Sequence, residues 1–114
     1  MFEHWIKTDL KEPVLVQRLQ GVLFSGDDGA NKIGVIVTNG GVPVTLSGTV
    51  KAKVITPTGE TVEVTGDKSG NQAWVVLPDD VYTDVGHIGI YIKLISGSEI
   101  TTLGGIEAYV HRGG

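Results

Sequence analysis

TVKAKVIT, residues 49–56, decides the fold. Val50, Ala52 and Val54 alternate with Lys51 and Lys53. A period of two sends successive side chains to opposite faces of an extended strand, so one face is buried and the other wetted. GHIGIYIKLIS, residues 86–96, repeats the pattern, with Ile88, Ile90, Ile92 and Leu94 on one face and Gly89, Tyr91, Lys93 and Ile95 on the other.

The runs are punctuated by readable turns. In TPTGET, residues 56–61, Pro57 presets φ and Gly59 accepts φ > 0, so 49–56 and 61–65 are expected to form a hairpin. ISGSEI, residues 95–100, is expected to reverse the chain through Gly97. NGG at 39–41 and KSGN at 68–71 mark two further reversals. About seven or eight strands result, at 14–21, 33–38, 43–46, 49–56, 61–65, 72–77, 86–95 and 99–110, an antiparallel sandwich or barrel. Seventeen glycines, few Leu and Ala, and many Val, Ile and Thr agree with strands joined by tight turns. One short helical turn is expected near 78–84 in LPDDVYTDVG, where Pro78 suits a first-turn position and Asp79 and Asp80 suit the positive end of a helix.

A chain of 114 residues makes one domain. Residues 14–112 are assigned to it, with 113–114 as a tail. Residues 1–13 lack a clear period and end at Pro13, which makes them an arm or an edge strand whose Trp5 and Ile6 need a surface to cover, on this subunit or another. Nine Lys and Arg against thirteen Asp and Glu give a net charge of −4 with no basic run, which argues against nucleic acid as a partner. The absence of cysteine excludes disulfides, thiolate zinc sites and a cysteine nucleophile. MFEHWIKTDLKEP lacks the apolar centre of a signal peptide and no segment reaches membrane-spanning length, so a soluble chain made without a cleavable export signal is expected.

No catalytic, metal or cofactor constellation stands out. Asp27, Asp28 and Asn31 in GDDGAN offer oxygen ligands for calcium, but an EF-hand needs ligands across twelve residues ending in Glu, and Gly, Asp and Asn are ordinary turn formers. His4, His87 and His111 are dispersed and match no zinc motif. Asp79, Asp80 and Asp84 could pair as catalytic carboxylates, yet a helix-start role accounts for the first two. Ser25, Ser47, Ser69, Ser96 and Ser98 sit beside glycine in turns, and no nucleophile elbow or phosphate-cradling loop occurs. The chain is read as no enzyme and as needing no cofactor. Ile36, Ile55, Tyr91, Ile95, Leu103 and Tyr109 fall on the strand faces opposite the core, and several together would make a docking patch.

LFSGDDGANKIGVIVTNGGVPVTLSGTVKAKVITPTGETVEVTG, residues 23–66, resembles the N-terminal domain of the phage baseplate upper protein family. The shared order is an acidic glycine-rich loop, a strand, a G-P-V-L-G turn, a strand and a P-G-T-V hairpin. SGNQAWVVLPDDVYTDVGHIGIYIKL and TTLGGIEAYVHR are similar to the family's continuation, so the resemblance runs from about 14 to 112. It rests on the order of short motifs and on no single signature. It implies an immunoglobulin-like β-sandwich from a tailed phage or prophage of a Gram-positive host, made in the bacterial cytoplasm and carried in the virion. In that family the domain attaches a host-recognition assembly to the distal tail protein, and a longer C-terminal region trimerises. The sequence stops at HRGG, before that region, so it is expected to be either a piece of a longer chain or a domain that works alone; trimerisation is not carried over with the fold, and a homo-oligomer stays open.

The expected function is therefore a structural adaptor working by protein–protein contacts with distal tail or other baseplate proteins. Trp5, Tyr91 and Tyr109 are the expected anchors, and Ile36, Ile55 and Leu103 the expected apolar surround. The rival is a carbohydrate-binding module with Trp5, Trp74 and Tyr82 as a stacking platform, although Trp74 in the apolar run AWVVL reads more readily as core. A small hydrolase using Asp79 and Asp80 is a third reading.

Overall fold

The computed structural model describes residues 2–11, 16–19, 23–25, 31–81 and 83–113. Its strands are β1 (Phe2–Asp9), β2 (Gln17–Arg18), β3 (Leu23–Phe24), β4 (Asn31–Asn39), β5 (Val42–Pro43), β6 (Thr49–Ile55), β7 (Thr61–Thr65), β8 (Asp67–Ser69), β9 (Gln72–Val76), β10 (Gly86–Ser96) and β11 (Glu99–His111). A single 3-10 turn, Asp79–Val81, is the helical piece among the described residues, and Val81 plugs the core from it.

The strands make a two-sheet sandwich. One sheet has five strands in the order β1-β4-β9-β8, with β5 beside β4; the other has six in the order β2-β11-β10-β6-β7, with β3 beside β11. The two alternating runs are neighbours: β6 lies antiparallel to β10, with Val50 opposite Leu94, Ala52 opposite Ile92 and Val54 opposite Ile90. Their apolar faces meet Ile33, Val35, Val37, Ala73 and Val75 from the other sheet, and Ile106, Ala108 and Val110 of β11 extend the core. Each large aliphatic side chain removed from water contributes roughly 1.5–3 kcal/mol.

The turn chemistry is realised as read. Thr56 accepts at its carbonyl from Gly59 at 2.9 Å and donates its own N–H to Glu60 at 2.8 Å, closing the β6–β7 hairpin. Gly59 and Gly97 both adopt positive φ, 90° and 61°.

Most pairings are antiparallel, but β1 runs parallel to β4, and β2 and β3 run parallel to β11. Of the alternatives for the N-terminal stretch, the edge strand is the one formed: Ile6 and Thr8 of β1 are buried. Its far end is pinned by Asp9, whose carboxylate accepts hydrogen bonds from the backbone N–H of Lys11 (2.9 Å), Gly40 (2.9 Å) and Gly41 (2.8 Å) and from the Thr38 hydroxyl (2.9 Å). These donors, Gly40 first, hold the Asp9 carboxyl well below the usual carboxylate range.

The chain crosses from one sheet to the other at Gly66, between β7 and β8. Its N–H donates to the Val50 carbonyl at 2.8 Å. A Cβ there would collide with the Trp74 carbonyl oxygen and lie 2.8 Å from Val75 Cγ1. Glycine is required by close approach.

Candidate interaction surfaces

The expected surface residues divide between the two outer faces of the sandwich. Ile55, Tyr91 and Tyr109 lie on the six-stranded sheet, whereas Trp5 and Ile36 lie on the five-stranded one. They therefore form no single patch. Leu103 is a correction: it is 4% exposed and belongs to the core. The register of β10 against β11 shifts between Ile92 and Lys93, whose partners are Gly104 and Thr102. Leu103 is the extra residue in this bulge, and the interruption breaks the strict alternation that assigned it outward.

On the six-stranded sheet the outer face carries a row of rings. His87 pairs with Tyr109 across β10 and β11, and His111 pairs with Phe24 across β11 and β3. Ring centroids are 5.2 Å apart for His87 and Tyr109, 4.9 Å for Tyr109 and His111, and 6.1 Å for His111 and Phe24. Phe24 is 41% exposed and Tyr109 39%. Beside the row are two adjoining shallow depressions, of about 380 and 430 Å³, which share Arg18, His87 and Glu107 in their walls. Tyr91 and Ile55 line the second. The Tyr91 ring leans over Gly89, where a Cβ would stand 3.3 Å from its Cε2. Arg18 and Glu107 approach to 3.8 Å with both side chains more than half exposed, a pair that orients more than it stabilises.

The opposite outer face is organised around Gly34 of β4, which has Trp5 opposite on β1 and Trp74 opposite on β9. Trp74 is half-buried on this outer face and is not a core residue, because Ala73 and Val75 take the inward positions of β9. The two indoles meet edge to face, centroids 6.1 Å apart and planes at 69°. Lys32 Nζ lies 4.8 Å from the Trp74 ring centroid, and Trp5 Nε1 donates to Glu3 Oε1 at 3.0 Å. The lone sequence signal for this arrangement was Gly34 inside an apolar strand, a mark of close approach.

The remaining candidates are dispersed. Asp27 and Asp28 of GDDGAN lie outside the described residues, as does Tyr82. Asn31 is 1% exposed, with its Oδ1 3.0 Å from His4 Nε2, so its side chain is engaged inside the sandwich. Asp79 and Asp80 are exposed on the 3-10 turn. Among the described residues, no three His, Asp or Glu side chains come together as a metal-binding group, and no helix is long and apolar enough to cross a membrane.

No protein-family model matches the chain. No curated protein matches it either. Among solved structures, the chain is similar to the N-terminal domain of phage TP901-1 ORF48, with a TM-score of 0.62 and 18% sequence identity over 97% of this chain and 99% of that one. At that identity the likeness speaks to the fold, which the two domains share over their full lengths.

Proposed function

We propose that the chain is a non-enzymatic structural module of a tailed-phage virion, an immunoglobulin-like adaptor in the baseplate that attaches a host-recognition assembly to the tail through protein–protein contacts. The observation that carries this is the exposed row Phe24, His111, Tyr109 and His87, continuous with Tyr91 and Ile55. Exposed aromatic and Arg side chains around shallow depressions are the composition of protein-binding hot spots, and the rim charges Arg18 and Glu107 would guide orientation and association rate. The fold shared with a domain of a phage protein supports the virion setting. On this reading the partner is the distal tail protein or another baseplate protein.

Light scattering of the chain alone and mixed with a distal tail protein of the same virion tests the proposal. A stable mixed complex is expected, and Tyr109→Ala should weaken it by about 2 kcal/mol or more, roughly thirtyfold, without changing the fold. A chain indifferent to that partner, or a complex insensitive to Tyr109→Ala and Tyr91→Ala together, would remove the docking face from the proposal.

A further inference from the structure

We propose that the Trp5–Trp74 corner on the outer face of the five-stranded sheet is a saccharide-binding site that takes a pyranose ring of a neutral or acidic polysaccharide. The site lies on the sheet opposite the Tyr109 face and stands independently of the docking proposal.

The geometry of Trp5 comes first. A Cβ on Gly34 would lie 2.6 Å from Trp5 Cε3 and nearer still to Cζ3, so the indole lies down on bare backbone at that position. One ring face is therefore used against the sheet, and Trp5 keeps part of its surface exposed. The bond from Nε1 to Glu3 fixes the ring's rotation. Trp74, at 69° to it, supplies the wall of a corner, and Lys32 occupies one face of that wall. Beside Trp74 is a depression of about 120 Å³ lined by Thr65, Gly66, Asp67 and Val76. An aromatic floor with a few convergent polar groups is the general form of a small-ligand site.

The chemistry narrows the ligand. The C–H face of a pyranose is apolar and packs on an indole, while its equatorial hydroxyls need donors and acceptors around the rim. Glu3 flanks Trp5 on β1, while Asp67 of β8, opposite Trp74, and Gln72 of β9 provide them on the Trp74 side. A quaternary ammonium would also favour indoles, but the Lys32 ammonium already holds the Trp74 ring and repels a second cation. Glu3, Lys7, Lys32 and Asp67 flank the indoles along the strands, a polar surround that a protein partner would have to pair or dry and that water-exposed hydroxyls would not. Sugar hydroxyls satisfy such a rim.

The chain has two tryptophans and both are in the corner, so its entire indole emission reports on the site. The protein is titrated with soluble oligosaccharides of glucose, galactose, rhamnose and N-acetylglucosamine, and applied to an array of bacterial cell-surface polysaccharides. A saturable emission change with at least one saccharide is expected. It should be lost in Trp5→Ala, weakened about tenfold in Asp67→Asn, and unchanged in Tyr109→Ala. If Trp5→Ala fails to fold, the exposed Asp67→Asn decides. The inference is overturned by the absence of any saturable saccharide signal, by binding that Asp67→Asn leaves intact, or by burial of the indoles against a protein partner in place of a sugar.

Discussion

Replacing Gly66 by alanine tests how tightly the two sheets are joined. The new Cβ would overlap the Trp74 carbonyl oxygen, lie 2.8 Å from Val75 Cγ1 and lie 3.0 Å from Val50 Cγ1. All three obstacles are backbone or stiff β-branched groups of the core, so the chain itself must shift. Overpacking of this kind costs about 1–3 kcal/mol, and moving the crossing strains the 2.8 Å bond from Gly66 N–H to Val50, a further 0.5–1.5 kcal/mol or so. Together they give about 2–4 kcal/mol, a large part of a typical domain stability of about 5–15 kcal/mol. Gly59→Ala is the control. Gly59 has φ 90° but nothing within 4 Å of a Cβ, so it bears only the left-handed backbone cost of about 1–2 kcal/mol. Urea unfolding followed by far-ultraviolet circular dichroism reads both. With a slope of about 1–3 kcal/mol per molar, the Gly66→Ala midpoint should fall by about 1–3 M. If Gly66→Ala costs no more than Gly59→Ala, the crossing is not close-packed and the reasoning fails.

Ile90→Ala, at a site with no exposed surface, should cost about 2–5 kcal/mol in the same assay, and a loss below about 1 kcal/mol would mean that the core collapses around the gap. Asp9→Asn should lower the melting temperature at neutral pH, because Asn presents an N–H to backbone N–H groups that now meet a carboxylate. The depressed Asp9 carboxyl contributes above its unfolded pKa of about 3.9 and loses that contribution as pH falls through the folded value, so the gap between wild type and Asp9→Asn should narrow below about pH 4. A gap constant from pH 7 down to pH 2 or so would contradict the assignment. Glu63→Ala breaks a 3.1 Å pair with Lys51 on the sheet surface and should change stability by no more than about 1 kcal/mol; a larger loss would show that the pair orders β7.

The strands and turns were legible because their causes are local. Val50, Ala52 and Val54 state their face by spacing alone, and Gly59, Gly70 and Gly97 mark reversals by the positive φ they adopt. What could not be read depends on pairing. Leu103 keeps the apparent alternation of β11 in sequence, and only its partner strand reveals the bulge that turns it inward. Trp74 looks like core because Ala73 and Val75 flank it in an apolar run, yet strand parity sends it outward beside Trp5, a neighbour set by the placement of β1 next to β4. The division of the surface candidates between opposite faces follows from strand order, which periodicity does not encode. Gly66 reads as an ordinary turn glycine until its neighbours are known, and Gly34 marks a close approach without naming what approaches.

The parallel attachment of β1 has an entropic consequence. In the β10–β11 hairpin the first pair, Ser96 with Glu99, joins residues three positions apart, and each later pair adds to one already formed. In β1 every pair from Phe2–Asn31 to Asp9–Thr38 spans the same twenty-nine residues, so no position offers a short loop from which pairing can spread. By the logarithmic dependence of closure entropy on loop length, the first contact of β1 costs about 2 kcal/mol more than that of the hairpin. That deficit is met at the far end and in the middle of the strand, by the Asp9 latch on the Asn39–Gly41 turn and by Ile6 and Thr8 in the core. β1 is therefore held as a unit by its anchors, not zipped on from a turn.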